Sequence, residues 1–534
     1  MSSVDSSSSS PTSSAEKLSD KNNNNNHHHH QHNNDIFEQY GVHLDGDDDD
    51  QRVCWNSDAP DHPRNWSPSM KAYTTTIICW LELYMTGISS AGTGAADTAR
   101  FEYHISRTLA YFAFVTIYLL GQTIGGIVLA PVSETFGRRT LYIVGSFLFC
   151  IFSIITAAVP SVAGVYIGRF FQGVAAAIPA TVAFGNFNDM YAARTRIGIV
   201  YAYTMAGFVG LSLGPVYASY ITATCGWRWV FYISAIASAV SAALAFGVKE
   251  SKADQLLERK VRAIREATGR DDLQAESTSS EGFNFNAFAR DSLLRPLKYL
   301  FTEPIVIFCA ALCGIAFGLL YGLTAGLTVA YTDPPFDKTF SDVSSSLSFI
   351  AILIGVLLDV LPRFYDYHLL RRCQTQHLRI VPETKIRSFA IACPALAIGL
   401  WIFAWTVPPR VTTVPWPISM IGLICVGFAT TDFSYVLFGY VTDSYGDHAA
   451  SAVSAVSATR TIAAAVFPLF AYQMFSGLGT NIAASILAAV ASVFAFTPFL
   501  FLTQGQSLRQ KSKFAMDDHD CLPEENGHMQ DEKA

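Results

Sequence analysis

Charge is scarce in this chain. Asp, Glu, Lys and Arg make up 15% of its 534 residues, whereas a soluble domain carries about a quarter. The deficit is uneven. Residues 1–70, 249–300 and the tail beyond Gln504 are polar, and the remainder is a series of apolar runs. With a mean hydropathy of +0.28, this is a membrane-protein profile rather than that of a soluble enzyme. Paired cysteines are also missing. Ten cysteines contain no C-x-x-C, and Cys309 and Cys313 stand four apart inside an apolar run, so they read as small hydrophobes. No Walker loop, metal-ligand cluster or nucleophile motif occurs. An enzyme and an ATP-driven pump are therefore not expected, nor are a cofactor, a bound metal or a nucleic-acid partner. No secretory signal opens the chain, whose first 35 residues are mainly Ser, Asn and His. The first apolar helix is then expected to act as the signal anchor. The tract NNNNNHHHHQH reads as low-complexity tail. The net charge of -7 says little, because acids crowd DGDDDD at 45–50.

What is abundant is apolar sequence in lengths that cross a bilayer, about 20 residues each. Twelve spans are predicted, at 72–92, 108–130, 140–159, 162–186, 197–222, 227–248, 304–328, 345–362, 388–407, 415–440, 449–473 and 480–502. The organisation expected is an N-terminal disordered tail (1–71), a six-helix half (72–248), a middle loop (249–303), a second six-helix half (304–502) and a C-terminal tail (503–534). Within the loop, KADQLLERKVRAIREA can form an amphipathic surface helix or remain a solvated linker. Arg138, Arg139, Arg194, Arg196, Arg363, Arg371, Arg372, Arg379, Lys385 and Arg387 fall on one side if the N-terminus is inside, and few cations fall on the other. That bias places both termini, the tails and the middle loop in the cytoplasm. The sequon at Asn65 would then never meet the glycosylation machinery.

The densest polar signal between apolar runs is APVSETFGRRTLYI, residues 130–143. Gly137 permits a tight turn. Arg138 and Arg139 can meet helix C-terminal carbonyls or Glu134. Such a cluster can latch one half against the other, or act only as topogenic charge. GLSLG in 207–219 spaces glycines for backbone-to-backbone helix packing, and Pro215 removes a helical hydrogen bond. Together these stretches resemble the major facilitator superfamily, and specifically its fungal drug:proton antiporters with twelve spans. Glu134, Gly137, Arg138 and Arg139 fit the family's loop 2–3 signature, with Ala130 and Thr135 departing from it. GRFFQG (168–173) resembles its span 4 motif. Gly207, Gly210, Gly214 and Pro215 match the span 5 antiporter motif, with Ala218 and Ser219 in place of its final glycines. GWRWVFYI (226–233), PETKI (382–386), DSYGDHAASAVSA (443–455), FPLF (467–470) and DAPDHPRNWSPSMKAY (58–73) follow in family order. The resemblance covers 55–515 and implies an all-α membrane protein, with 12 transmembrane helices in the two-half major facilitator fold, that exports by antiport.

Ionisable residues inside a span are functional candidates. Glu82 lies near the midplane of span 1, Arg169 in span 4, Asp432 in span 10 and Arg460 in span 11. Pairing Glu82 with Arg169, and Asp432 with Arg460, would lower the cost of burial. Glu82 or Asp432 can carry a coupling proton, or the pairs can only fix packing. Arg169 can also meet an anionic substrate, and Gln122 in span 2 is a further cavity candidate. Tyr84, Phe184, Tyr201, Tyr203, Tyr321, Tyr435 and Phe438 can line an amphipathic cavity. The resulting expectation is a monomeric, proton-coupled exporter of drugs, organic acids, glycolipids or secondary metabolites, in the plasma membrane. The alternatives are a nutrient importer, disfavoured because GVKESKAD replaces the sugar-porter signature after span 6, and a transport-dead sensor.

Overall fold

A computed structural model describes residues 37–45, 52–269, 273–275, 295–332, 341–375, 388–407, 414–445, 449–499, 501, 503 and 512. The chain divides into two compact units, one of the N-terminal segment with Glu250–Gly282 and one holding the membrane helices.

The smaller unit corrects the expectation of a disordered tail, because residues 37–45 and 52–71 are folded. Strand β1 (Val42–Asp45) pairs antiparallel with β2 (Arg52–Trp55), and β2 pairs parallel with β3 (Gln274–Ala275). The loop segment with two open readings is an amphipathic helix, Ala253–Thr268. Its Leu257, Val261 and Ile264 fall at helical spacing and pack on Phe37, Val42, Val53, Leu273 and Ala275. Gly269 closes the helix in the left-handed conformation, its N–H donating to Arg265 O at 2.8 Å. This core could not be read from the tail alone, since five of its eight buried residues come from Leu257–Ala275, beyond the first six membrane helices in sequence. The sequon side chain is engaged, Asn65 Nδ2 donating to Ser57 O at 2.7 Å and Ala59 O at 3.0 Å.

The membrane unit carries all twelve expected spans. The first half holds Pro68–Glu102, a second span built from Arg107–Tyr111, a π-helical turn Phe112–Thr116 and Ile117–Phe136, then Arg138–Ala158, Val162–Met190, Ala193–Cys225 and Arg228–Ala245. The second half holds Pro304–Thr332, Ser348–Leu358 continued by Val360–Thr375, then Phe389–Thr406, Pro417–Tyr445, Ala449–Leu478 and Thr480–Phe494. Eleven are long and apolar enough to cross a membrane by composition. Span 1 is the other; its Glu82 and its run of Ser, Thr and Gly lower its hydropathy, but its 35 residues reach about 52 Å. Phe147, Ile236 and Phe496 are more than half exposed on the outer surface, as lipid-facing side chains are.

The same close approach recurs in both halves. A Cβ on Gly173 of span 4 would lie 1.9 Å from Tyr118 O of span 2, and one on Gly427 of span 10 would lie 2.1 Å from Ile352 O of span 8. Corresponding helix pairs thus touch backbone to backbone, as a repeated six-helix unit requires. The halves meet at three depths. Thr116 Oγ1 of span 2 donates to Ala465 O of span 11 at 2.7 Å, and Arg107 stacks on Tyr472 at 3.9 Å. Midway, Ser89 and Tyr321 hydroxyls lie 2.7 Å apart. At the loop 2–3 end, the rings of Tyr201 (span 5) and Tyr435 (span 10) meet edge to face at 5.4 Å.

Candidate functional site: a carboxylate between the halves

Glu82 projects from the middle of span 1 and is largely but not fully buried. Room for it comes from the span 5 motif, since a Cβ on Gly207 would stand 3.1 Å from Glu82 Oε1. One helical turn on, Gly210 rests on Leu83 O, where a Cβ would lie at 2.0 Å, and Gly214 rests on Gly87 O at 2.4 Å. The motif therefore brings span 5 against span 1 and leaves a slot for the carboxylate. Tyr203, also on span 5, sets its hydroxyl 2.8 Å from Glu82 Oε2 and 2.9 Å from Pro179 O of span 4. Thr86 Oγ1 donates to Glu82 Oε1 at 3.2 Å.

The expected pairing of Glu82 with Arg169 is not what the structure holds. Arg169 is fully buried. Its Nε donates to Phe114 O at 2.7 Å, its Nη1 to Gln172 Oε1 at 3.1 Å and its Nη2 to Ile88 O at 3.3 Å. Its guanidinium lies over the Tyr118 ring at 4.3 Å. Phe114 belongs to the π-helical turn, where backbone carbonyls depart from the α-helical ladder. Arg169 thus fastens spans 1, 2 and 4 together. Gln172 continues the tie, with Nε2 donating to Ser153 Oγ of span 3 at 2.6 Å. Gln122 is half-buried on span 2.

The cation whose charge reaches Glu82 is Arg460, from the opposite half, acting at longer range than the Tyr203 hydrogen bond. Arg460 lies over Phe317 at 4.2 Å and Phe438 at 5.2 Å, with its Nε buried and unbonded. The expected Asp432–Arg460 pair is likewise absent, because Asp432 is taken by Arg363 of span 8. Arg363, read from sequence as a loop cation, is 10% exposed and also meets Asp366 at 3.0 Å and Asp359 at 3.9 Å. Asp359 and Asp366 were not foreseen, though Asp359 and Arg363 stand four apart on one helix face.

The loop 2–3 motif also differs in its contacts. Gly137 has a φ of +84° between two helices, a conformation suited to glycine. Arg138 Nη1 lies 2.8 Å from Asp189 Oδ2 of span 4, and Arg139 Nη2 donates to Phe246 O, at the C-terminus of span 6, at 2.9 Å. The helix-terminus contact was expected, while these ties run within the first half. The Glu134 side chain lies outside the described residues, as does PETKI. In the span 6 motif, Trp227 Nε1 donates to Glu102 Oε2 at 2.8 Å and Arg228 pairs with Glu102 Oε1, closing the far end of span 1. Of the aromatic candidates, Tyr203, Tyr321 and Phe438 surround the Glu82–Arg460 region, whereas Tyr84 is buried against Ser238 of span 6. Phe317 was missed.

Two pseudo-equivalent six-helix halves enclosing a carboxylate and a guanidinium describe a secondary transporter. Residues 82–468 match the profile of the Major Facilitator Superfamily, and the chain belongs to that family as an integral membrane protein. It is 30% identical over 485 residues to a multidrug transporter of Candida glabrata, covering 89% of this chain and 80% of that one. An efflux pump of Gibberella fujikuroi is 29% identical over 472 residues, covering 87% and 95%. Among solved structures, the inward-open xylose transporter XylE from E. coli superposes with a TM-score of 0.56 at 15% identity, over 79% of this chain and 94% of that chain. That likeness is one of fold.

Proposed function

We propose that the protein is a proton-coupled exporter of small amphipathic molecules, acting as a monomer in the plasma membrane with both termini in the cytoplasm. The observation that carries this reading is the hydrogen bonding at Tyr203. A phenol has one proton to donate, yet the Tyr203 hydroxyl lies within 2.9 Å of two oxygens, one of them a carbonyl that only accepts. All bonds are made when Glu82 is protonated, donates to Tyr203 and lets Tyr203 donate to Pro179 O. When Glu82 is ionised, Tyr203 must choose, and Arg460 attracts the carboxylate across the interface. The protonation state of Glu82 therefore acts on the contact between halves. The relatives named multidrug transporter and efflux pump, and the packing of the span 5 motif against span 1, favour export.

The test is efflux from loaded vesicles with and without an imposed pH gradient. Glu82→Gln keeps size and hydrogen bonding but cannot ionise. It is expected to abolish the response to the gradient while exchange at equal pH survives. A Gln variant that follows the gradient like the parent would reduce Glu82 to a packing residue. Efflux by the parent that ignores a proton ionophore would end the antiport reading.

A further inference from the structure

A second set of ionisable groups lies away from Glu82, at the loop 2–3 end. Asp359 and Asp432 are both fully buried. Between them stands a single guanidinium, Arg363, which also holds Asp366. Three carboxylates around one cation leave two uncompensated negative charges if all ionise. Burying even one such charge is strongly unfavourable. Both oxygens of Asp359, and Oδ2 of Asp432, are buried without a hydrogen-bond partner. One oxygen of each carboxyl group lies within 4 Å of the same Arg363 nitrogen, Nη2, so the two groups are close neighbours. Two acids in that relation hold one proton between them more readily than they both ionise.

The cluster is also where the halves touch. Arg363 lies over the ring of Tyr435 at 4.6 Å and that of Tyr201 at 5.8 Å. The groups facing the two acids come from every packed element: Arg363 and Asp366 on span 8, Tyr435 on span 10, Tyr201 on span 5, and Ser388 and Cys393 at span 9. Asp443 lies farther along span 10 and acts on Tyr435.

We propose that Asp359 and Asp432 share one exchangeable proton, separate from that of Glu82, and that this proton controls the contact of spans 8 and 10 with span 5. With the proton bound, Arg363 and the neutral acid leave the cluster with one excess negative charge. On release to water the excess becomes two, Asp359 and Asp432 repel each other, and the seat of Tyr201 against Arg363 and Tyr435 loosens. The proposal rests on the proton-driven reading above, and it adds a second proton to each transport cycle.

Proton binding by the purified full-length protein tests it directly. The protein is titrated between pH 8 and pH 5 in unbuffered detergent with an indicator dye, and protons taken up per molecule are counted. Asp359→Asn and Asp432→Asn are each expected to take up one proton fewer than the parent. The double variant is expected to lose one as well, not two. Uptake equal to the parent in either single variant overturns the proposal, and so does a loss of two in the double variant, which would mean independent acids. If the Asn variants fail to fold, infrared difference spectra of the parent with carboxyl-labelled aspartate give a second readout. A protonated-aspartate band that disappears as pH rises is expected; its absence overturns the proposal. Failure of the proton-driven reading shows elsewhere, as parental efflux that ignores an ionophore whatever the aspartates bind.

Discussion

Tyr203 carries one hydroxyl proton and faces two acceptors, and under the proposed function that count is what would make the site sensitive to protonation. Removing the hydroxyl leaves Pro179 O and Glu82 without the shared partner. A hydrogen bond to a group that changes charge is worth about 1.5–3 kcal/mol. Tyr203→Phe is therefore expected to slow gradient-driven efflux roughly tenfold or more at unchanged membrane abundance. Initial rates normalised to abundance check this, and a parental rate would remove Tyr203 from the coupling path. At this scale the sequence was half legible. Glu82, Arg169, Asp432 and Arg460 stood out because each is a charged residue in an apolar run. Their partners did not, because pairing depends on how each helix is rotated about its axis. Arg169 found a backbone carbonyl of a π-helical turn, Phe114 O, and no hydropathy pattern announces such a turn.

At the scale of elements, the span 5 glycines were legible and their contact was not. Gly210 sits so close to Leu83 O that a methyl group would stand at 2.0 Å, and backbone cannot move aside as a side chain can. Gly210→Ala is expected to destabilise the protein by about 1–3 kcal/mol, read as a lower midpoint in thermal unfolding of the detergent-purified chain. Gly439, with open space around its Cβ position, is the control, and equal effects at both sites would contradict the close packing. The smaller unit offers a separate test. His62 Nδ1 accepts from Arg64 N at 3.2 Å, a bond that needs the neutral ring. Burial, and then the charge of Arg64, hold its pKa below the ordinary 6.5. The unfolded chain therefore binds the proton more readily, so the contribution of His62 is present above pH 6.5 and declines as pH falls below it. Hydrogen-exchange protection of β1 and β2 is expected to drop between pH 7 and pH 5 in the parent and to stay flat in His62→Asn. The unit itself escaped a reading of the tail because β2 is completed by β3, a two-residue strand from the far side of six membrane helices.

For the whole molecule, the repeat of two halves was legible from the count and spacing of apolar runs, while the contacts that close it were not. The halves now touch at both ends: Thr108 with Gln473 at the loop 1–2 end, and Tyr201 with Tyr435 at the loop 2–3 end. A transporter that rocks around a central site must open these contacts in turn, never both at once. Covalent locks test this. In a background lacking the native cysteines, Thr108→Cys with Gln473→Cys places a pair at one end, and Tyr201→Cys with Tyr435→Cys places a pair at the other. A short bifunctional maleimide is expected to stop efflux in either pair, and a monofunctional maleimide of the same size to leave more of it. The bridge at one end holds the halves together there while the opposite end remains free to part. Accessibility of Glu82 to a carboxyl reagent should then persist from the unlocked side alone, so the two locks should expose it to opposite faces of the membrane. Continued efflux through a quantitatively bridged protein, or exposure of Glu82 to the same face in both, would rule out rocking about the interface that Glu82 and Arg460 span.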